Sequence, residues 1–184
     1  MITTRQPGGT LLGQNLRQLL LEVNLTEPIS NQTELLLYAA DRAQHVNQFL
    51  KPHLKQGSLI LCDRFTDSTI AYQGYGRGLD LNLIDQLNQI ATQGLQSDLT
   101  LWFDIDVETG LARTQKRGEN DRMEQASLDF HQRVRRGFSQ LAASNQDRII
   151  PIDASLNIDE VTQQLKQVLS QQLNKWKLSN NESA

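Results

Sequence analysis

The chain has 184 residues, 38% hydrophobic, 21% charged and 5% aromatic, the size and composition of one soluble α/β domain able to bury a core. Its 18 Lys and Arg against 21 Asp and Glu give a formal charge of -3, which excludes a global positive field for nucleic acid or an anionic membrane. The single cysteine, Cys62, excludes an intramolecular disulfide, and no window reaches the apolar length of a membrane span, so the composition reads as a cytoplasmic protein.

In chain order, residues 1–4 are a short β-prone fragment that runs into the turn-rich Arg5-Gln6-Pro7-Gly8-Gly9-Thr10, as if the chain began inside an element. Thr10 is placed to cap a helix carrying Leu11, Leu12, Leu16, Leu19 and Leu20, which the segment around Pro28 ends. Helical spacing of Leu36, Ala39, Ala40, Ala43, Val46 and Leu50 predicts a helix over about 33–53. Continuous apolar runs at 58–62, 99–103 and 148–152, ending at Asp63, Asp104 and Asp153, predict buried parallel strands whose carboxyl ends open onto a site. Helices are expected at about 67–73, 81–92, 108–116 and 127–143, and Ile158, Val161, Leu165, Val168, Leu169 and Trp176 stripe a closing helix. The alternation predicts one α/β domain over 1–176, a single parallel sheet wrapped by helices, with a polar frayed tail at 177–184.

Several clusters could carry chemistry. Tyr38 and Arg42 share one helix face and could grip a planar polar ligand, although a half-buried Tyr beside a solvated Arg is the commoner meaning of such a pair. Asp63-Arg64 at a strand's carboxyl end joins a carboxylate suited to Mg²⁺ with a fork suited to phosphate; a structural ion pair is the alternative. Thr69, Tyr72 and Gln73 lie within one helical turn before the glycines at 74, 76 and 78, a binding wall or an ordinary glycine-capped helix end. Arg113, Lys116, Arg117 and Arg122 flank a polar loop, as a phosphate-closing lid over about 113–124 would, or as a solvated charged face. His45, His53 and His131 share no metal-ligand spacing and read as core or surface residues.

The segments 4–10, Ala39-Ala40-Asp41-Arg42-Ala43-Gln44-His45, 63–74, Gly76-Arg77-Gly78-Leu79-Asp80 and 117–124, in this order, closely resemble bacterial thymidylate kinases over nearly the whole chain. The resemblance implies a three-layer P-loop NTPase-like sheet with helices on both faces, and transfer of the ATP γ-phosphoryl group to dTMP with Mg²⁺. It further implies a homodimer formed through helices, with ATP and dTMP as the small-molecule partners. By position, it implies that Tyr38 stacks on thymine and Arg42 hydrogen-bonds it. Arg64 would hold the dTMP phosphate, and Asp63 would lie near Mg²⁺ and the reacting phosphates. Thr69 and Gln73 flank the base, Tyr72 packs on the sugar, and Arg117 with Arg122 brings positive charge onto the ATP phosphates.

Two departures accompany the resemblance. Gln6 stands where the family usually has glutamate, and no lysine in the chain follows a glycine, so the Gly-Lys-Ser/Thr of a P-loop is missing. The expectation is therefore that the family's first strand, P-loop and first helix are absent before Ile2. Besides a dTMP kinase, two alternatives remain open here: a silent chain that only binds nucleotide or a partner subunit, and a nucleoside monophosphate kinase with another base preference.

Overall fold

A computed structural model describes residues 1–23, 26–118 and 121–181, with the side chains of Arg117 and of 177–181 outside that description. The first strand, β1 (Ile2–Arg5), is followed by α1 (Leu11–Leu21), which Thr10 caps by accepting from the Gly13 N–H. Helix α2 (Asn31–His45) starts at the Ser30 cap and runs on through a π-helical turn, Val46–Leu50, into α3 (Lys51–Lys55). After β2 (Ile60–Asp63) come α4 (Thr66–Thr69) and a π-helical stretch, Ile70–Gly76. Then follow α5 (Leu81–Thr92), β3 (Thr100–Asp104), α6 (Val107–Arg117), α7 (Leu128–Ser144), β4 (Ile149–Asp153) and α8 (Ile158–Asn181). Helix α8 thus continues beyond the Trp176 boundary expected from its apolar stripe, and residues 182–184 lie outside the described residues.

The fold is α/β with parallel strand pairing, as expected, but the single sheet is not. Among the described residues β1 pairs with β2 (Thr4 opposite Cys62, Arg5 opposite Asp63) and β3 pairs with β4 (Asp104 opposite Asp153), giving two separate two-stranded sheets. Side chains join the halves where a backbone ladder does not. From β4's edge, Arg148 grips buried Asp67 of α4 through both oxygens, at 2.7 and 2.8 Å, and Thr100 of β3 donates to the same carboxylate at 2.8 Å. Nor are the strands covered on both faces: β2 alternates half-buried and exposed, and Leu61 and Phe103 are 48% and 51% exposed. An apolar run thus marked the strand correctly while overstating its burial.

Leu20, Leu35, Val46, Ile84, Ile149 and Ile152 form fully buried packing positions. Where α7 crosses the π-helical stretch, Ala71, Met123, Phe130 and Val134 make an apolar cluster. Two glycines permit that approach. A Cβ on Gly137 would sit 2.7 Å from the Tyr75 ring, and one on Gly76 would sit 2.7 Å from Phe130, so any side chain at either place would push the helices apart. This crossing fixes Tyr72, edge-on to Phe130 at 6.1 Å, on the wall of the site.

Candidate active site

Helix α2 supplies one wall, and the apolar stripe that predicted the helix is only partly buried: Val46 and Leu50, in the π-helical turn that continues it, are buried, but the face that α2 itself turns inward is largely polar. Leu36 is 56% exposed, whereas Glu34, Asp41, Arg42 and His45 are buried, at spacings of one helix face. Burying charge is tolerable only when every group is bonded, and here nearly all are. Arg42 donates from Nε to Gln6 (3.0 Å), from Nη1 to Asn88 (2.8 Å) and from Nη2 to both the Phe65 carbonyl (3.2 Å) and Thr69 (2.8 Å). A guanidinium has five N–H groups, so one, on Nη1, has no acceptor among the described residues once these four are served. Burial pulls Arg42 down to about 10, which leaves it charged at neutral pH.

Two turns earlier, Glu34 collects three donors: Gln73 at 2.9 Å, Arg77 at 3.0 Å and Arg122 at 2.6 Å. Burial pushes its carboxyl up, yet the bonds from Arg77, Gln73 and Arg122 outweigh that, and the net shift is downward. Between Glu34 and Arg42 lies half-buried Tyr38, whose phenol burial, together with the Glu34 charge, lifts to about 12. It is a neutral aromatic face at any ordinary pH.

The third component leaves β2. Arg64 has φ 65°, a left-handed conformation for a residue with a side chain, worth about 1–3 kcal/mol of strain. Its guanidinium lies over the Tyr72 ring at 4.8 Å. Asp63 beside it is exposed at the strand's carboxyl end. Among the described residues no three His, Cys, Asp or Glu gather as a metal cluster. A lone carboxylate still suits Mg²⁺, which keeps several waters and takes one or two carboxylates plus substrate phosphates. Arg42 thus meets Thr69, Arg64 meets Tyr72, and Gln73 bonds Glu34 one turn before Tyr38 on α2, so the expected residues are paired across segments far apart in sequence and line one polar wall.

Comparison with known proteins decides what this wall belongs to. A family model for thymidylate kinase matches residues 1–165. The chain is 58% identical over 178 residues to thymidylate kinase of Trichodesmium erythraeum, covering 96% of this chain and 79% of that protein. It is 59% identical over 179 residues to thymidylate kinase of Trichormus variabilis, covering 96% and 84%. A crystal structure of thymidylate kinase from Ehrlichia chaffeensis superposes with a TM-score of 0.73 at 35% identity, covering 92% of this chain and 80% of that one. This chain belongs to the thymidylate kinase family. As a member of it, the chain is a phosphotransferase with an α/β fold of parallel strands and helices.

Within this thymidylate kinase family chain, the expected lid is only partly described. Helix α6 ends at Arg117, with Gly118 in the left-handed region (φ 91°); the Arg117 side chain, Glu119 and Asn120 lie outside the described residues. Arg113 does not stand free for phosphate but donates to the Ala154 carbonyl at 2.8 Å. Arg122, expected on the ATP phosphates, is instead bound to Glu34 and, at 2.9 Å, to the Leu20 carbonyl, because a buried carboxylate outcompetes solvent for it. A cavity of about 400 Å³ at the carboxyl end of β3, lined by Trp102, Asp104, Asp106, Arg135 and Arg136 among others, contains none of the expected site residues.

Sequence reading missed Glu34, Asp41, Gln6 and His45. In the loop before α1, the Gly8 N–H donates to Asp41 at 3.0 Å, while the second Asp41 oxygen has no hydrogen-bond partner among the described residues; burial raises this carboxyl. For the three on α2, the signal available was the spacing 34, 41 and 45 beside Tyr38 and Arg42, the two polar positions already read as one face of this helix.

Proposed function

We propose that this chain transfers the γ-phosphoryl group of ATP to dTMP: a dTMP phosphate oxygen bonds to the γ-phosphorus, the β–γ bridge bond breaks, and dTDP and ADP leave. The observation that carries this is the polar wall itself. It offers a stacking ring (Tyr38), one leftover guanidinium N–H (Arg42), and an arginine fork at a strand's carboxyl end (Arg64), the complement of a base at one end and a phosphate at the other.

In this reading Tyr38 stacks on thymine, and Arg42, with Thr69 and Gln73 behind it, fixes the base edge. Arg64 holds the acceptor phosphate, with Tyr72 against the sugar. Phosphoryl transfer asks mainly for alignment and positive charge around the moving group. Arg117 is the arginine we assign to the ATP phosphates, and Arg122 serves the acceptor wall through Glu34. Asp63 is the carboxylate that would hold Mg²⁺, which when bound offsets the phosphate charge. A homodimer formed through helices including α2, and a cytoplasmic setting for dTTP synthesis, belong to the same proposal. Neither the silent-chain reading nor another base preference gains support over dTMP phosphorylation from the relatives described above.

The test is ADP formation by the purified chain with ATP, Mg²⁺ and, in turn, dTMP, dUMP, dCMP and dGMP. We expect turnover with dTMP above the other acceptors. Turnover preferring another acceptor, or none with any, overturns the proposal. Since no Gly-Lys-Ser/Thr segment occurs in the sequence, turnover would also put the ATP phosphates on other groups, Arg117 first.

A further inference from the structure

We propose that Gln6 is a positioning residue for acceptor recognition: its side-chain amide links Arg42 to His45 in a one-way hydrogen-bond chain that orients the guanidinium. The proposal rests on the reading that Arg42 meets the acceptor base.

The chain is continuous, and three of its four members are buried. Arg42 Nε donates to Gln6 Oε1 at 3.0 Å, Gln6 Nε2 lies 2.9 Å from His45 Nδ1, and His45 Nε2 lies 2.8 Å from Thr4 Oγ1. Gln6 and Arg42 are each 3% exposed and His45 is 0% exposed. Its polarity follows from the first link. Arginine can only donate, so the glutamine oxygen must face it and the amide nitrogen must face the imidazole. That nitrogen can only donate, so Nδ1 of His45 is the bare acceptor, and the ring proton sits on Nε2, donated to Thr4. Only a neutral ring satisfies the whole set. The groups around the ring agree: Asp41 and Arg42 come from its own helix, uncharged Thr4 from β1, and Gln6 and Gly9 from the loop. Phe49 stacks at 5.4 Å, and burial plus the Arg42 charge hold His45 down at about 4. The ring packs directly on Gly9, where any Cβ would clash with it.

With Nε pinned by Gln6, and the two terminal nitrogens pinned by Asn88, Phe65 and Thr69, the guanidinium plane is fixed, and with it the direction of the one remaining N–H. A carboxylate at position 6 could accept from Arg42 but has no hydrogen to offer Nδ1. His45 would then have to move its proton or gain a second one.

The experiment pairs imidazole ¹⁵N NMR of His45 with calorimetric binding of dTMP and ATP, for the full chain and its Q6E and Q6L variants. In the unsubstituted chain His45 is expected neutral and Nε2-protonated, unchanged from about pH 5 to 8. Q6L is expected to weaken dTMP binding about tenfold and leave ATP binding unaltered. In Q6E, His45 is expected to titrate within that pH window and to make dTMP binding pH-dependent. An Nδ1-protonated or charged His45 in the unsubstituted chain overturns the proposal without any variant, and so does Q6L binding dTMP within about twofold of it. If the unsubstituted chain shows the expected tautomer but does not bind dTMP, the acceptor reading itself fails and Gln6 positions Arg42 for no base.

Discussion

Two regions of the molecule carry arginine-carboxylate pairs of similar geometry in opposite surroundings. On the polar wall beside α2, Arg122 meets Glu34 at 2.6 Å, with 19% and 1% of the side chains exposed; at the carboxyl end of β3, Arg135 meets Asp104 at 2.7 Å, with 42% and 29% exposed. Distance alone would rank them equal. Water decides otherwise, since a solvated pair gains little over its separated ions, while a buried carboxylate stripped of its donors is left with its full desolvation cost. The buried pair therefore belongs to a specified site, and the exposed pair is dispensable surface.

The comparison breaks first at Glu34. Glu34→Ala leaves Arg77 and Arg122 without their shared acceptor and is expected to cost about 3–5 kcal/mol in urea unfolding; a loss under about 1 kcal/mol would put the two regions on a par. Next, Arg64→Ala should lower dTMP kcat/KM at least about a hundredfold, or about 2.7 kcal/mol, in steady-state kinetics, and near-normal values would remove Arg64 from the site. Acid sharpens the contrast further. The folded Glu34 carboxyl lies below the ordinary glutamate value, so its contribution is present above that value and is lost as pH falls through the folded one. The urea midpoint should thus drop on acidification below the ordinary glutamate value more steeply for the unsubstituted chain than for Glu34→Gln. Tyr72→Phe should narrow the preference for deoxy over ribo acceptor, and an unchanged ratio of kcat/KM values would show that its hydroxyl does not police the sugar. Smallest of all, Arg135→Ala should change stability by less than about 1 kcal/mol, and that little should fade in high salt.

Legibility in the sequence followed the same division. Elements marked by local pattern were read closely: the Thr10 cap, the helix over Leu81–Thr92 and the strands ending at Asp63, Asp104 and Asp153 all stand in the structure. The stripe over 33–53 marked the helical run correctly and Val46 and Leu50 are buried as it implied, but periodicity ranks residues by hydrophobicity and passed over the polar face that α2 buries, with Leu36 in solvent. Arg122 misled for a related reason. A basic residue in a polar loop looks free until the carboxylate that claims it, 88 positions away, is brought alongside.

By itself the sequence determined the order of elements, their caps, the loop before α1 and the segments that resemble the thymidylate kinase family, because each is a matter of neighbouring residues and their backbone preferences. Only the tertiary structure decided that Glu34 gathers Gln73, Arg77 and Arg122, that Gln6 and His45 share a hydrogen-bond chain with Arg42, and that the strands pair as two sheets joined through Asp67 and Arg148. Those arrangements depend on which polar groups lose water together, and the partners that satisfy them lie dozens of residues apart, beyond the reach of any local pattern.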